Sequence, residues 1–115
     1  MRQAVHSYAG KMNGAFEYQR QEALTGSPEQ ILLMIYDHGI KSCRRKDESG
    51  ATDAIVKLID GLNFKYADIA NGLFRLYDYM LRLVKAGKFD ETLKFFTELR
   101  DAWQTGFANN GLIAA

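Results

Sequence analysis

A chain of 115 residues, 25% of them charged and 47% apolar, has the size and composition of one ordinary globular domain. Its formal charge of +1 excludes a strong field aimed at nucleic acid or an acidic membrane surface. One cysteine, Cys43, excludes an internal disulfide and fits a reducing compartment.

The N-terminal stretch MRQAVHSYAGKMNGAFEYQRQEAL has no apolar h-region, so it is not expected to be a secretory signal. No apolar run approaches the roughly 18 residues of a membrane span. The expectation is a soluble, cytoplasmic protein. Residues 1–25 mix Gly, Gln and Ser with scattered aromatics and predict a mobile arm. Internal repeats and low-complexity tracts are absent.

The first predicted helix covers 27–45. Ser27 is placed as N-cap, Pro28 at the first helical position and Gln30 three residues after the cap, which together make a capping box. KDESG (46–50) breaks this helix. A second helix is predicted over 52–65, with Ile55, Leu58, Ile59 and Leu62 on one face and Asp53 and Asp60 toward solvent. The third covers 68–86, closed by Gly87 as the residue after the C-cap. The fourth runs over 90–105 from Asp90, a favoured N-cap type, with Leu93, Phe96, Leu99 and Trp103 inward. The single proline, the scarcity of β-branched runs and the helical spacing of apolar residues predict an all-α fold. Short connections make it an antiparallel up-and-down four-helix bundle. The expected divisions are an arm (1–25), the bundle (26–107) and a frayed tail (108–115).

Two helices carry more apolar surface than one core needs. Residues 31–36, ILLMIY, are six consecutive large apolar side chains. On the third helix Asp68, Asn71, Arg75, Asp78, Arg82 and Lys85 share an arc of roughly 100°. Ile69, Leu73, Phe74, Leu76, Tyr77, Tyr79, Met80, Leu81, Leu83 and Val84 spread over the remaining 220° or so, where a bundle helix needs only about 100°. An external partner explains the surplus better than coverage by the N-terminal arm, and an arm can occupy a groove until a partner arrives.

Catalytic and metal chemistry find little support. His6 and His38 are far apart and, with one cysteine, make no ligand set. Asp37 and Lys41 read as a helix-surface pair. Lys41, Arg44, Arg45 and Lys46 suit the C-terminus of a helix dipole and extend into no basic stripe. No glycine-rich phosphate loop or G-x-S-x-G motif is present. Tyr18, Tyr36, Tyr77 and Tyr79 lack the interleaved basic residues of a stacking platform. The chain reads as a non-enzyme with no cofactor and no metal, binding no nucleic acid and inserting in no membrane.

The segments YQRQEALTGSPEQILLMIYDHGIK, AIVKLIDGL, LFRLYDYMLRLVKAG and LRDAW, in this order, resemble the flagellar secretion chaperone FliS family from about Tyr18 to Trp103. The resemblance implies a cytoplasmic helical bundle that uses no nucleotide. Such a bundle binds the C-terminal segment of flagellin in apolar grooves, prevents premature polymerisation and assists delivery to the export apparatus. It leaves the export gate and other flagellar regulators as further partners. The expected contacts on the first helix are Ile31, Met34, Ile35, Tyr36 and Ile40. On the second and third helices they are Leu62, Leu73, Leu76, Tyr77 and Met80. Tyr18 is the gate residue of the arm, while Ser27, Pro28 and Asp90 are structural caps. The alternative is a self-associating helical homodimer with no flagellin client.

Overall fold

Ser27 starts the first helix as its sequence demands. Its hydroxyl accepts from the Gln30 amide at 3.2 Å, and the Gln30 side chain accepts from the Ser27 amide at 3.2 Å. This closes the capping box, with Pro28 at the first helical position. The structure, a computed structural model, describes residues 26–113. Among these, four helices and one 3-10 turn follow one another: α1 (Pro28–Arg44), α2 (Glu48–Asp60), the turn (Phe64–Tyr66), α3 (Ala67–Lys85) and α4 (Phe89–Asn109). No strand is among the described residues. The expected arm, with His6 and Tyr18, lies outside them.

Each helix packs on its successor and α4 closes back on α1, which makes the expected four-helix bundle. The connections are too short for anything but antiparallel neighbours. Helices α1 and α3 therefore stand diagonally across the core. That core holds Leu32 and Tyr36 from α1, and Ile55 and Leu58 from α2. From α3 come Tyr77 and Met80, and from α4 Phe96, Leu99, Trp103 and Phe107. The α1–α4 seam is tight at Gly39, where a Cβ would lie 2.5 Å from the buried Phe96 ring.

Several boundaries differ from the sequence expectation. Helix α2 begins at Glu48, not Thr52, because Asp47 caps it by accepting from the Gly50 amide at 3.0 Å. It ends at Asp60. Beyond it the Asn63 side chain accepts from the Lys65 amide at 3.0 Å and opens the 3-10 turn. Asp90 is not the cap of α4. Gly87 ends α3 at φ +74°, and the Lys88 amide bonds back to the Leu83 carbonyl at 2.9 Å. Lys88 thus falls directly into the N-cap position, and Asp90 sits in the first turn, where its charge still suits the helix dipole. Nor does the chain fray at 108. Helix α4 reaches Asn109, the Leu112 amide bonds to the Phe107 carbonyl at 2.9 Å, and Leu112 and Ile113 pack against the core.

Candidate partner-binding surface

Contact with α2 on one flank and α4 on the other resolves the apolar girdle of α1. Ile31, Leu32, Leu33 and Tyr36 are buried, Ile35 is half-buried and Met34 is 57% exposed. At 100° per residue Met34 stands about 160° from Tyr36, so the two cannot face the same medium. Tyr36 is therefore a core residue, not a surface contact. Its hydroxyl accepts from the Trp103 indole N–H at 3.0 Å and meets the Tyr77 hydroxyl at 2.5 Å. Its ring meets Phe96 edge-on at 6.2 Å.

The same correction applies across the bundle. Tyr77 and Met80 have no accessible surface, and Ile31, Ile40, Leu62 and Leu73 are nearly as enclosed. Leu62 is buried in the connection after α2, and the others lie on helix sides turned away from solvent. Of the ten expected contacts among the described residues, Met34 is exposed and Ile35 and Leu76 are half-exposed.

The remaining exposed large apolar side chains are Phe64 at 51%, Phe74 and Tyr79 at 43%, and Val56 at 40%. These were missed by sequence reasoning. Phe74 and Tyr79 lie at the margins of the broad α3 arc, about 60° and 160° from Tyr77 on opposite sides. The excess width was the signal for both. Tyr79 meets Phe95 of α4 edge-on at 5.8 Å. Val56 lies about 120° around α2 from Gly50, a glycine whose Cβ position is filled by Ser42 of α1. Val56 therefore points away from the α1 contact. Phe64 occupies the α2–α3 junction, hidden in a segment read as helix end. Single exposed hydrophobes are normal. Four of the five lie on α2, its junction and α3, which makes this stretch of the bundle the candidate surface.

Among the described residues the ion pairs lie at the surface or at its edge. Asp37 pairs with Arg100 of α4 at 2.5 Å, not with Lys41, and Arg100 also donates to Gln104 at 2.6 Å. Asp53 meets Lys57 at 3.1 Å and exposed His38 at 3.5 Å, and Asp78 meets Arg82 at 3.1 Å. Arg75 and Arg82 are exposed. Exposed pairs of this kind contribute about 1 kcal/mol or less. Burial pushes the Cys43 thiol up to about 11, which keeps it neutral and unreactive. No group of three or more metal-ligating side chains gathers among the described residues. A depression of about 310 Å³ at the α3–α4 turn is lined by Lys46, Gly87, Lys88, Phe89, Asp90 and Glu91, a set of mixed charge. No described helix is long and apolar enough to cross a membrane.

Residues 44–110 match the family model for flagellar protein FliS, more than half of the 115-residue chain. The chain belongs to the FliS family. No curated protein and no solved structure matches it. The matched FliS segment begins at the last residue of α1 and takes in α2, α3 and α4. It includes Val56, Phe64, Phe74 and Tyr79, and omits only Met34 from the exposed apolar set.

Proposed function

We propose that this FliS-family protein is a cytoplasmic export chaperone for flagellin. It holds the C-terminal flagellin segment against its apolar exterior, prevents premature polymerisation and assists delivery to the flagellar export apparatus. The carrying observation is the group of exposed apolar side chains along α2 and α3, Val56, Phe64 and Phe74, on a bundle whose core is already filled without them. Met34, Ile35 and Leu76 extend the contact set. Tyr18 remains the gate within the arm. The buried residues once expected to touch the client instead shape the surface from below.

An amphipathic client segment folds onto this exterior as it binds. Such coupled folding buries on the order of 1,000–3,000 Å² and costs roughly 2–5 kcal/mol in ordering. At about 25 cal/mol per Å² of apolar area the gross gain exceeds that cost, and rigid-body entropy and polar desolvation absorb much of the rest. Binding and release need no nucleotide, because association alone masks the segment.

A pull-down of flagellin, with and without its C-terminal segment, tests the reading. Retention of full-length flagellin and loss of the truncated form is the expected result. Equal retention, or none, sinks it. The same exterior would suit a homodimer. Light scattering that shows a concentration-independent dimer indifferent to flagellin would put self-association in its place.

A further inference from the structure

Burial of hydrocarbon is non-directional. A helix that is apolar all the way round gains almost as much buried area when rotated by one residue as it does in place. Residues 31–36 of α1 are such a stretch, although Lys41 and Arg44 give the end of that helix a polar side, and the apolar arc of α3 is wider than the core needs although its charged arc bounds it. Hydrophobicity alone therefore sets the rotation of both helices only coarsely. The core nevertheless adopts one arrangement, with Tyr36 inward and Met34 outward.

Directional contacts can remove that degeneracy. Three polar atoms meet at the centre of the bundle, one each from α1, α3 and α4. The Trp103 indole donates to the Tyr36 hydroxyl at 3.0 Å, and the Tyr36 and Tyr77 hydroxyls lie 2.5 Å apart, either able to donate. All three side chains are fully buried. Rotating α1 or α3 would separate these groups inside a nonpolar medium, where a polar group without a partner is costly. Gly39 against Phe96 and Asp37 with Arg100 favour the same phase. The first is a steric contact and the second a partly solvated one.

We infer that the Tyr36 and Tyr77 hydroxyls, with the Trp103 indole, set the rotation of α1 and α3 and thereby decide which apolar side chains face water. They are positioning residues for the exterior, without touching any partner. Buried polar groups that fix one arrangement among several of similar hydrophobic energy are the general precedent.

The chain carries its own reporter. Cys43 lies seven residues after Tyr36, about 20° away on the same face of α1, and is buried. A rotated α1 carries its thiol toward solvent. The experiment measures the labelling rate of Cys43 by a water-soluble maleimide in the full-length chain at fixed pH. Tyr36→Phe is compared with Ile55→Val, a core change on α2 outside the polar cluster, at equal global stability set with urea. Labelling at least tenfold faster in Tyr36→Phe is expected. Equal rates at equal stability would overturn the inference, because the hydroxyls would then contribute stability alone. Should Tyr36→Phe not fold, Tyr77→Phe removes one of the two polar contacts of Tyr36 and is held to the same comparison, with labelling about threefold faster expected and equal rates overturning the inference. No partner is needed, so the result is independent of the flagellin reading.

Discussion

Two glycines in the helices carry opposite consequences. A Cβ at Gly39 would lie within 2.5 Å of the Phe96 ring, whereas one at Gly72 would meet nothing within 4 Å. Alanine at Gly39 gains about 1 kcal/mol of helix propensity but forces α1 and α4 apart, and overpacking costs about 1–3 kcal/mol. Gly39→Ala should therefore lower stability while Gly72→Ala raises it by about 0.5–1 kcal/mol, both read from urea unfolding. A second residue-scale consequence concerns Cys43. Its thiol is held protonated by burial, with the folded value raised from 9.0 to about 11. The unfolded chain loses this proton first, so the group's contribution is complete below about pH 9 and declines as pH rises toward 11. Stability of the native chain relative to Cys43→Ala should be constant up to about pH 9 and fall above it. A flat difference across that window would show that the thiol titrates alike in both states.

At the scale of the helices, the turn after α1 holds a non-glycine residue in the left-handed region. Lys46 has φ +56°, and the turn closes through Lys46 N–H to the Cys43 carbonyl at 3.0 Å and Asp47 N–H to the Ser42 carbonyl at 2.8 Å. The same pattern after α3 uses Gly87. A side chain in this conformation costs about 1–2 kcal/mol, partly offset by the chain entropy a glycine would lose. Lys46→Gly should stabilise the bundle by roughly 0.5–1 kcal/mol, measured by thermal melting. This turn also shows what the sequence could reveal. The start of α1 was legible because Ser27, Pro28 and Gln30 make a complete local signal. The start of α2 was not, because KDESG looks like a breaker while its Asp47 is the cap of the next helix. Asp90 looked like a cap, and the close of α3 upstream had already placed Lys88 there. The width of an apolar arc was equally legible, but its direction depends on where neighbouring helices stand. That is why Tyr36 and Met34, two residues apart and both expected as contacts, part company, Tyr36 into the core and Met34 onto the surface.

For the molecule as a whole, the two demands on its apolar residues separate cleanly. Tyr36, Tyr77, Met80 and their neighbours fill the core, while Val56, Phe64, Phe74, Tyr79 and Met34 remain outside. A core substitution would disturb stability and binding together and distinguish nothing. An exterior substitution away from caps and buried contacts usually changes stability by less than about 0.5 kcal/mol, so it isolates the binding role. Aromatic anchors carry a disproportionate share of interface energy, which makes Phe64 and Phe74 the informative pair. The decisive measurement is calorimetric titration of a flagellin C-terminal peptide into the native chain and into Phe64→Ser/Phe74→Ser, with a thermal melt of each. Saturable binding to the native chain, weakened at least tenfold (about 1.4 kcal/mol) in the double variant at unchanged melting temperature, is the predicted result. Equal affinity in the two proteins, or no binding to either, would contradict the assignment of this exterior to a flagellin client.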